Sequence, residues 1–176
     1  MQTNTAKDDH SQTQELRGLF EQQLKELYWA EGVMHDMLHG IIIQSYSKDL
    51  VALLKNHMDE TCGHVRRLEK IFASIGIAAE AEPYEAIKCL VKEAESFIES
   101  TQQGVVRDAG IIAVLQKLKH YEIACYGTMR AYALALREED VVVLLEQTLE
   151  EEKGTDLLMS GIAESHINIE AADKEI

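Results

Sequence analysis

The sequence predicts an all-α protein, an antiparallel four-helix bundle with one long crossover that carries a short extra helix. Three observations lead there. Apolar residues recur at 3,4 spacing through segments about thirty residues long, the signature of a helix with one buried face. Pro83 is the sole proline in 176 residues, and the two-residue alternation of a half-buried strand is scarce. The chain also repeats itself: adding 91 to the residue number carries Leu24 to Leu115, Leu27 to Leu118, Glu31 to Glu122, Leu53 to Leu144, Glu60 to Glu151, Gly63 to Gly154 and Ile71 to Ile162.

Residues 1–10 read as a disordered polar leader, followed by a single helical domain over 11–168 and a frayed tail over 169–176. The first helix is expected from about Ser11 or Thr13 into the early forties, burying Leu16, Leu19, Phe20, Leu24, Leu27, Met34 and Leu38. The stretch Gln44-Ser45-Tyr46-Ser47 interrupts it, and Ser47 is placed to cap the next helix by accepting from the free N–H groups of its first turn. The second helix carries Leu50, Leu53, Leu54, Leu68, Ile71 and Ile75 on one face. It stops at Gly76, since glycine tolerates the left-handed conformation that closes a helix. Pro83 suits the first turn of a shorter helix reaching Ser100, closed by Gly104. A third long helix runs from about Val105 to Leu136. The charged turn Arg137-Glu138-Glu139-Asp140 leads into the last, from about Asp140 to Ser165.

Connection lengths set the topology. The turns within each half are short and make antiparallel neighbours. The link between the halves is nearly thirty residues, about what a chain needs to return along a helix ~45 Å long. Two hairpins joined by one long crossover form the ferritin-like arrangement.

Composition excludes several classes of function. With 46% hydrophobic residues the chain can bury one continuous core. Seventeen Lys and Arg against 31 Asp and Glu give a net charge of −14 with no basic block, which removes nucleic acid as a partner, because phosphate neutralisation needs a clustered positive face. No run of about 18 uncharged apolar residues is present, and the N-terminal segment has no apolar signal region, so no membrane partner is expected. Cys62, Cys89 and Cys125 form no CxxC pair and read as reduced thiols of a cytoplasmic protein.

Two glutamates mark the candidate site. Glu31 interrupts the stripe Phe20, Leu24, Leu27, Met34, Leu38, and Glu122 interrupts Ile111, Leu115, Leu118, Cys125, Met129. A lone carboxylate in hydrocarbon takes up a proton, meets a cation or is strongly unfavourable. Neither stripe supplies Lys or Arg at that depth, so a metal ion is the simplest cation; Tyr28, His35 and Tyr126 are the alternative partners within reach. On the second helix, His57, Glu60 and His64 share one face at spacings of three and four. On the last helix, Glu151 is the repeat partner of Glu60, while Glu152 and Asp156 make an alternative pair. Two-metal sites in such bundles use one Glu from each of two helices and a Glu-x-x-His pair from each of the others. Here the pairs are incomplete: Gly63 stands three after Glu60, Cys62 three after Asp59, and no histidine precedes His166 on the last helix. Glu31, His57, Glu60, His64, Glu122, Glu151, Glu152 and Asp156 are therefore the candidate ligands of two divalent ions per chain. So oxygen-rich a set suits iron or manganese.

The segment His120-Tyr121-Glu122-Ile123-Ala124-Cys125-Tyr126-Gly127-Thr128 resembles the signature of the YciE/YciF-like ferritin-like proteins. So do Arg107-Asp108-Ala109, Leu149 to Lys153 with Thr155-Asp156, the Ala30-Glu31 pair, and His57-Met58-Asp59-Glu60-Thr61, in which Asp59 replaces a glutamate. The resemblance spans about Leu16 to Ala163 and implies a compact bundle, a homodimer, a di-metal site and a link to bacterial stress responses. It implies no established reaction. The leading expectation is a di-iron or di-manganese protein that reacts with O2 or peroxide, with peroxidase, catalase or ferroxidase-like activity. With no CxxC module in the chain, reductive turnover needs an external electron donor. The alternatives are a non-enzymatic metal-binding or structural stress-protective bundle, and a metal-free network of buried carboxylates and histidines.

Overall fold

The computed structural model describes residues 15–173; the expected leader, 1–10, and the last three residues of the expected tail lie outside the described residues. Those described form α1 (Leu16–Gln44), α2 (Lys48–Ile75), α3 (Glu85–Ser100), α4 (Val105–Ala135), α5 (Glu139–Ile162) and α6 (Asn168–Asp173), with a π-helical turn, Ala163–Ile167, between α5 and α6. α1 is described from Leu16, with Glu15 at its N-cap and no side-chain cap bond, and the expected start at Ser11 or Thr13 lies outside the described residues. Ser47 caps α2 as expected, accepting from the Leu50 N–H at 3.5 Å, and Gly76 closes it with φ 77°.

Pro83 lies outside α3, which begins two residues later. The Glu82 N–H donates to the Lys25 carbonyl at 3.1 Å, and the Tyr84 ring stacks on Tyr121 with centroids 5.9 Å apart, so both neighbours of the proline are held on other elements. Beyond α5, the segment expected to fray from 169 is helical to Asp173. The π turn buries Ala163 and Ile167 on the core and anchors it there.

Helices α1, α2, α5 and α4 pack around one core in that order, and α3 lies over α4 and α1. The directions follow from side-chain pairs. Arg17 at the start of α1 meets Glu138 just past the end of α4, and the α1–α2 turn meets Asp108 at the start of α4, so α1 and α4 are antiparallel. Arg67 with Thr148 and Glu60 with Thr155 make α2 and α5 antiparallel as well. The crossover packs closely: a Cβ on Gly110 would lie 1.8 Å from Phe97 Cζ, so α3 rests its aromatic ring directly on the α4 backbone.

Arg107 and Asp108 hold the α1–α2 turn rather than any site. Asp108 is fully buried and accepts from the backbone N–H groups of Tyr46 and Ser47 at 2.9 and 2.6 Å, while Arg107 donates to the Gln44 side chain at 2.7 Å. Removing a buried carboxyl acceptor from two backbone donors at a helix boundary leaves both without a partner. Asp108→Ala is expected to lower stability by about 3 kcal/mol, seen as a shifted urea midpoint with an unchanged slope.

The core divides into two apolar clusters. One includes Leu38, Leu54, Leu115, Leu118 and Met159; the other includes Phe20, Leu24, Phe72, Met129 and Leu145. On every long helix the residues between the clusters are polar: Glu31 on α1, His57 to His64 on α2, Lys119 and Glu122 on α4, and Glu152 on α5. A buried ionic layer thus crosses the bundle at mid-height.

Candidate metal centre

Glu31, His57, His64, Lys119, Glu122 and Glu152 all have 0% of their surface exposed. Each is delivered by a helical stripe that is otherwise hydrocarbon, so the backbone fixes the level and leaves only side-chain rotamers to adjust. Among the described residues, one ligand atom each from Glu31, His64 and Glu152 lies within 4.8 Å of the others, close enough to share an ion.

His64 organises this half of the layer. Its Nδ1 faces Glu31 at 3.3 Å and Glu152 Oε1 at 3.1 Å, while Nε2 faces Glu151 Oε2 at 3.1 Å. Glu151 is in turn held by Arg67, whose Nε also donates to Thr148 Oγ1 at 2.7 Å. A histidine that presents one nitrogen to a carboxylate pair and gives its other N–H to a fixed carboxylate has the orientation of a metal-ligating imidazole. The Tyr126 hydroxyl donates to Glu31 Oε1 and fixes that side chain from α4, as the sequence suggested among its alternative partners.

The other half contains a residue that the stripe argument missed. Lys119 is fully buried; its ammonium contacts Glu122, lies 2.6 Å from Glu152 Oε2, and lies 2.6 Å from His57 Nε2. The expectation that no Lys or Arg reaches this depth is corrected. α4 is central, packed by α1, α3 and α5, so its buried arc is wide enough to include a position beside the stripe. The available signal was spacing: Lys119 stands four after Leu115 and three before Glu122.

The remaining candidates sit outside the buried layer. Glu60 and Glu151, the repeat partners, have equivalent places at its rim with side chains 29% exposed; Glu60 accepts from Thr155 at 3.1 Å and from Asn56 at 2.8 Å. Glu152 enters the core instead, where the repeat partner is the buried Thr61, so the 91-residue offset identifies the rim carboxylates and misses the inner one. Asp156 faces Gln116 at 3.4 Å and His120 at 3.7 Å and is not brought into the cluster.

The electrostatics follow from burial and charge order. Burial alone would pull His64 down, but Glu31 and Glu152 outweigh it and push it up to about 10. Burial would raise Glu152, yet Lys119 and His64 hold it down at about 2. Glu122 rises well above the usual carboxylate range, from burial and then the neighbouring Glu152 charge. Burial and the Lys119 charge lower His57, so its Nε2 is an acceptor for the ammonium.

Tested against this geometry, one divalent ion fits. The donors at Glu31, His64 and Glu152 are two carboxylates and an imidazole; Glu152 Oε1 faces His64 Nδ1 at 3.1 Å without a well-directed hydrogen bond, and in the other half of the layer the Glu122 oxygens and His57 Nδ1 make none either. Side chains from three helices converge there, with a third carboxylate, Glu151, behind the imidazole.

Comparison with known proteins places the chain. It is 33% identical over 160 residues to Protein YciF of Escherichia coli (strain K12), covering 90% of this chain and 96% of that protein. The crystal structure of the E. coli stress protein YciF superposes with a TM-score of 0.84 at 33% identity, covering 88% of this chain and 98% of that one. YcfI of Rhodopseudomonas palustris, provisionally described as a structural protein, superposes with a TM-score of 0.82 at 34% identity over 86% of this chain and 96% of its own. A protein of Xanthomonas campestris pv. campestris shares the fold at 15% identity, with a TM-score of 0.71. The domain of unknown function DUF892 matches residues 15–172, and the chain belongs to this YciF-like family.

Proposed function

We propose that this chain is a ferritin-like metal-binding protein of the bacterial stress response, which holds a divalent iron or manganese ion between Glu31, His64 and Glu152. The observation that carries the reading is the buried Glu–His–Glu group, with its imidazole oriented from behind by Glu151. A bound ion would supply Lewis-acid and redox capacity toward O2 or peroxide. The residues around it have separable parts. Tyr126 holds Glu31 in place, Arg67 holds Glu151, and the two apolar clusters exclude water from both sides of the layer. Reductive turnover would draw on an external electron donor.

The test is chelator-stripped protein reloaded anaerobically with Mn2+ or Fe2+, followed by metal analysis. The wild type is expected to retain metal through gel filtration, and Glu31→Gln with His64→Gln to weaken binding at least about 100-fold. Unchanged retention in that double variant rejects the site. A second reading, a non-enzymatic stress-protective bundle, is favoured by one observation: Lys119 and a cationic His64 already balance much of the buried charge. Chelator-treated protein that takes up no Mn2+ or Fe2+ and whose melting temperature is unmoved by either ion supports it over the metal-binding reading.

A further inference from the structure

We infer that Lys119 is a built-in cation that occupies the second metal position of a two-cation site, so that the chain takes one divalent ion rather than two. The inference rests on the proposed binding of metal by Glu31, His64 and Glu152 and concerns what lies beside it. Two carboxylates and an imidazole, from Glu122, Glu152 and His57, surround the Lys119 ammonium. That is the donor set a divalent ion would need in an oxygen-rich bundle site. An ammonium has three N–H donors, and three acceptors already face it. Glu152 lies between the two halves: Oε1 faces His64 at 3.1 Å and Oε2 faces Lys119 at 2.6 Å, the role of a carboxylate bridging two cations.

Charge reaches the same conclusion independently. Three carboxylates are fully buried, from Glu31, Glu122 and Glu152. Two divalent ions plus Lys119 bring five positive charges to a layer that holds three carboxyl groups, an excess even with every one of them charged, whereas one divalent ion plus the ammonium brings three. A second ion could enter only by expelling a fully buried ammonium from its two carboxylate partners. Glu122, although central, is therefore the partner of Lys119 and not a metal ligand.

The experiment counts Mn2+ per chain by calorimetry and elemental analysis on the full chain. The wild type is expected to bind one. Lys119→Ala, refolded in the presence of Mn2+, is expected to bind two, because the vacated space keeps Glu122, Glu152 and His57 as donors. Glu122→Gln is expected to keep one ion with Kd within about threefold of wild type. Two ions on the wild type, one on folded Lys119→Ala, or loss of the ion in Glu122→Gln overturns the inference while leaving the proposed metal binding intact. No ion on the wild type overturns both. Should Lys119→Ala fail to fold even with Mn2+, the wild-type count and the Glu122→Gln affinity decide.

Discussion

Lys119→Met is expected to lower the stability of the metal-free protein at neutral pH by about 3–5 kcal/mol, measured by urea denaturation of chelator-treated samples. Methionine fills nearly the volume of the lysine stem and keeps the hydrocarbon packing, so the loss isolates the charge. Taking away one partner of a buried ion pair leaves the other desolvated and uncompensated, which is far more unfavourable than the pair was favourable. Here two carboxylates lose their partner at once, Glu122 and Glu152, with His57 left holding an unused acceptor nitrogen. Acidification should recover part of the loss, since Glu122, already raised by burial, takes up a proton once the ammonium is gone. A change below about 1 kcal/mol would show that the ammonium reaches water in solution, and with it the second-cation assignment would fail.

The helices were legible because each depends on local spacing and end chemistry. The bounds of α2, with Ser47 at one end and Gly76 at the other, follow from signals within a few residues of each. Glu31 and Glu122 were legible for a related reason, as carboxylates standing on hydrocarbon stripes. What the sequence did not reveal depends on rotation about the helix axis and on neighbours distant in the chain. Whether Glu151 or Glu152 turns inward is a matter of one position in a run of three glutamates, about 100° of rotation, and the α2 contacts of Arg67 settle it. Lys119 was overlooked for the opposite reason: lysines on helices usually face water, and only the crowding of α4 by three neighbours turns this one inward. The repeat misled at the same place, because Thr61 and Glu152 share a position but not a chemistry.

Metal-free protein is expected to lose stability as pH rises from about 6.5 toward 10, by a total of about 5 kcal/mol, and metal-loaded protein is expected to lose little. The sign follows from His64. Its folded value, about 10, lies above the ordinary 6.5, so the imidazolium is stabilised by folding; that contribution is fully present below 6.5 and disappears as pH passes through the folded value. The groups facing it are Glu31 from α1, Glu151 and Glu152 from α5, Tyr126 from α4 and His57 from α2, with Arg67 behind Glu151 and Lys119 behind Glu152. Glu122, also raised, adds a loss of the same sign, whereas Glu152, lowered to about 2, contributes above 4.5 and is lost only toward that acid value. His57, lowered by burial and by Lys119, contributes stability that is lost as pH falls below 6.5 and so opposes Glu122 between 4.5 and 6.5, which places the maximum for the metal-free protein in that window. A bound ion changes this because a ligating imidazole must be neutral. Loading at pH 7 has to expel the His64 proton, measurable as buffer-dependent heat of about one proton per Mn2+. Urea midpoints at pH 7, 8 and 9, with and without Mn2+, separate the two states, and His64→Gln should flatten the metal-free series. A flat series in the wild type would mean that His64 is neutral without metal, and the two carboxylates facing its Nδ1 would then need some other cation between them.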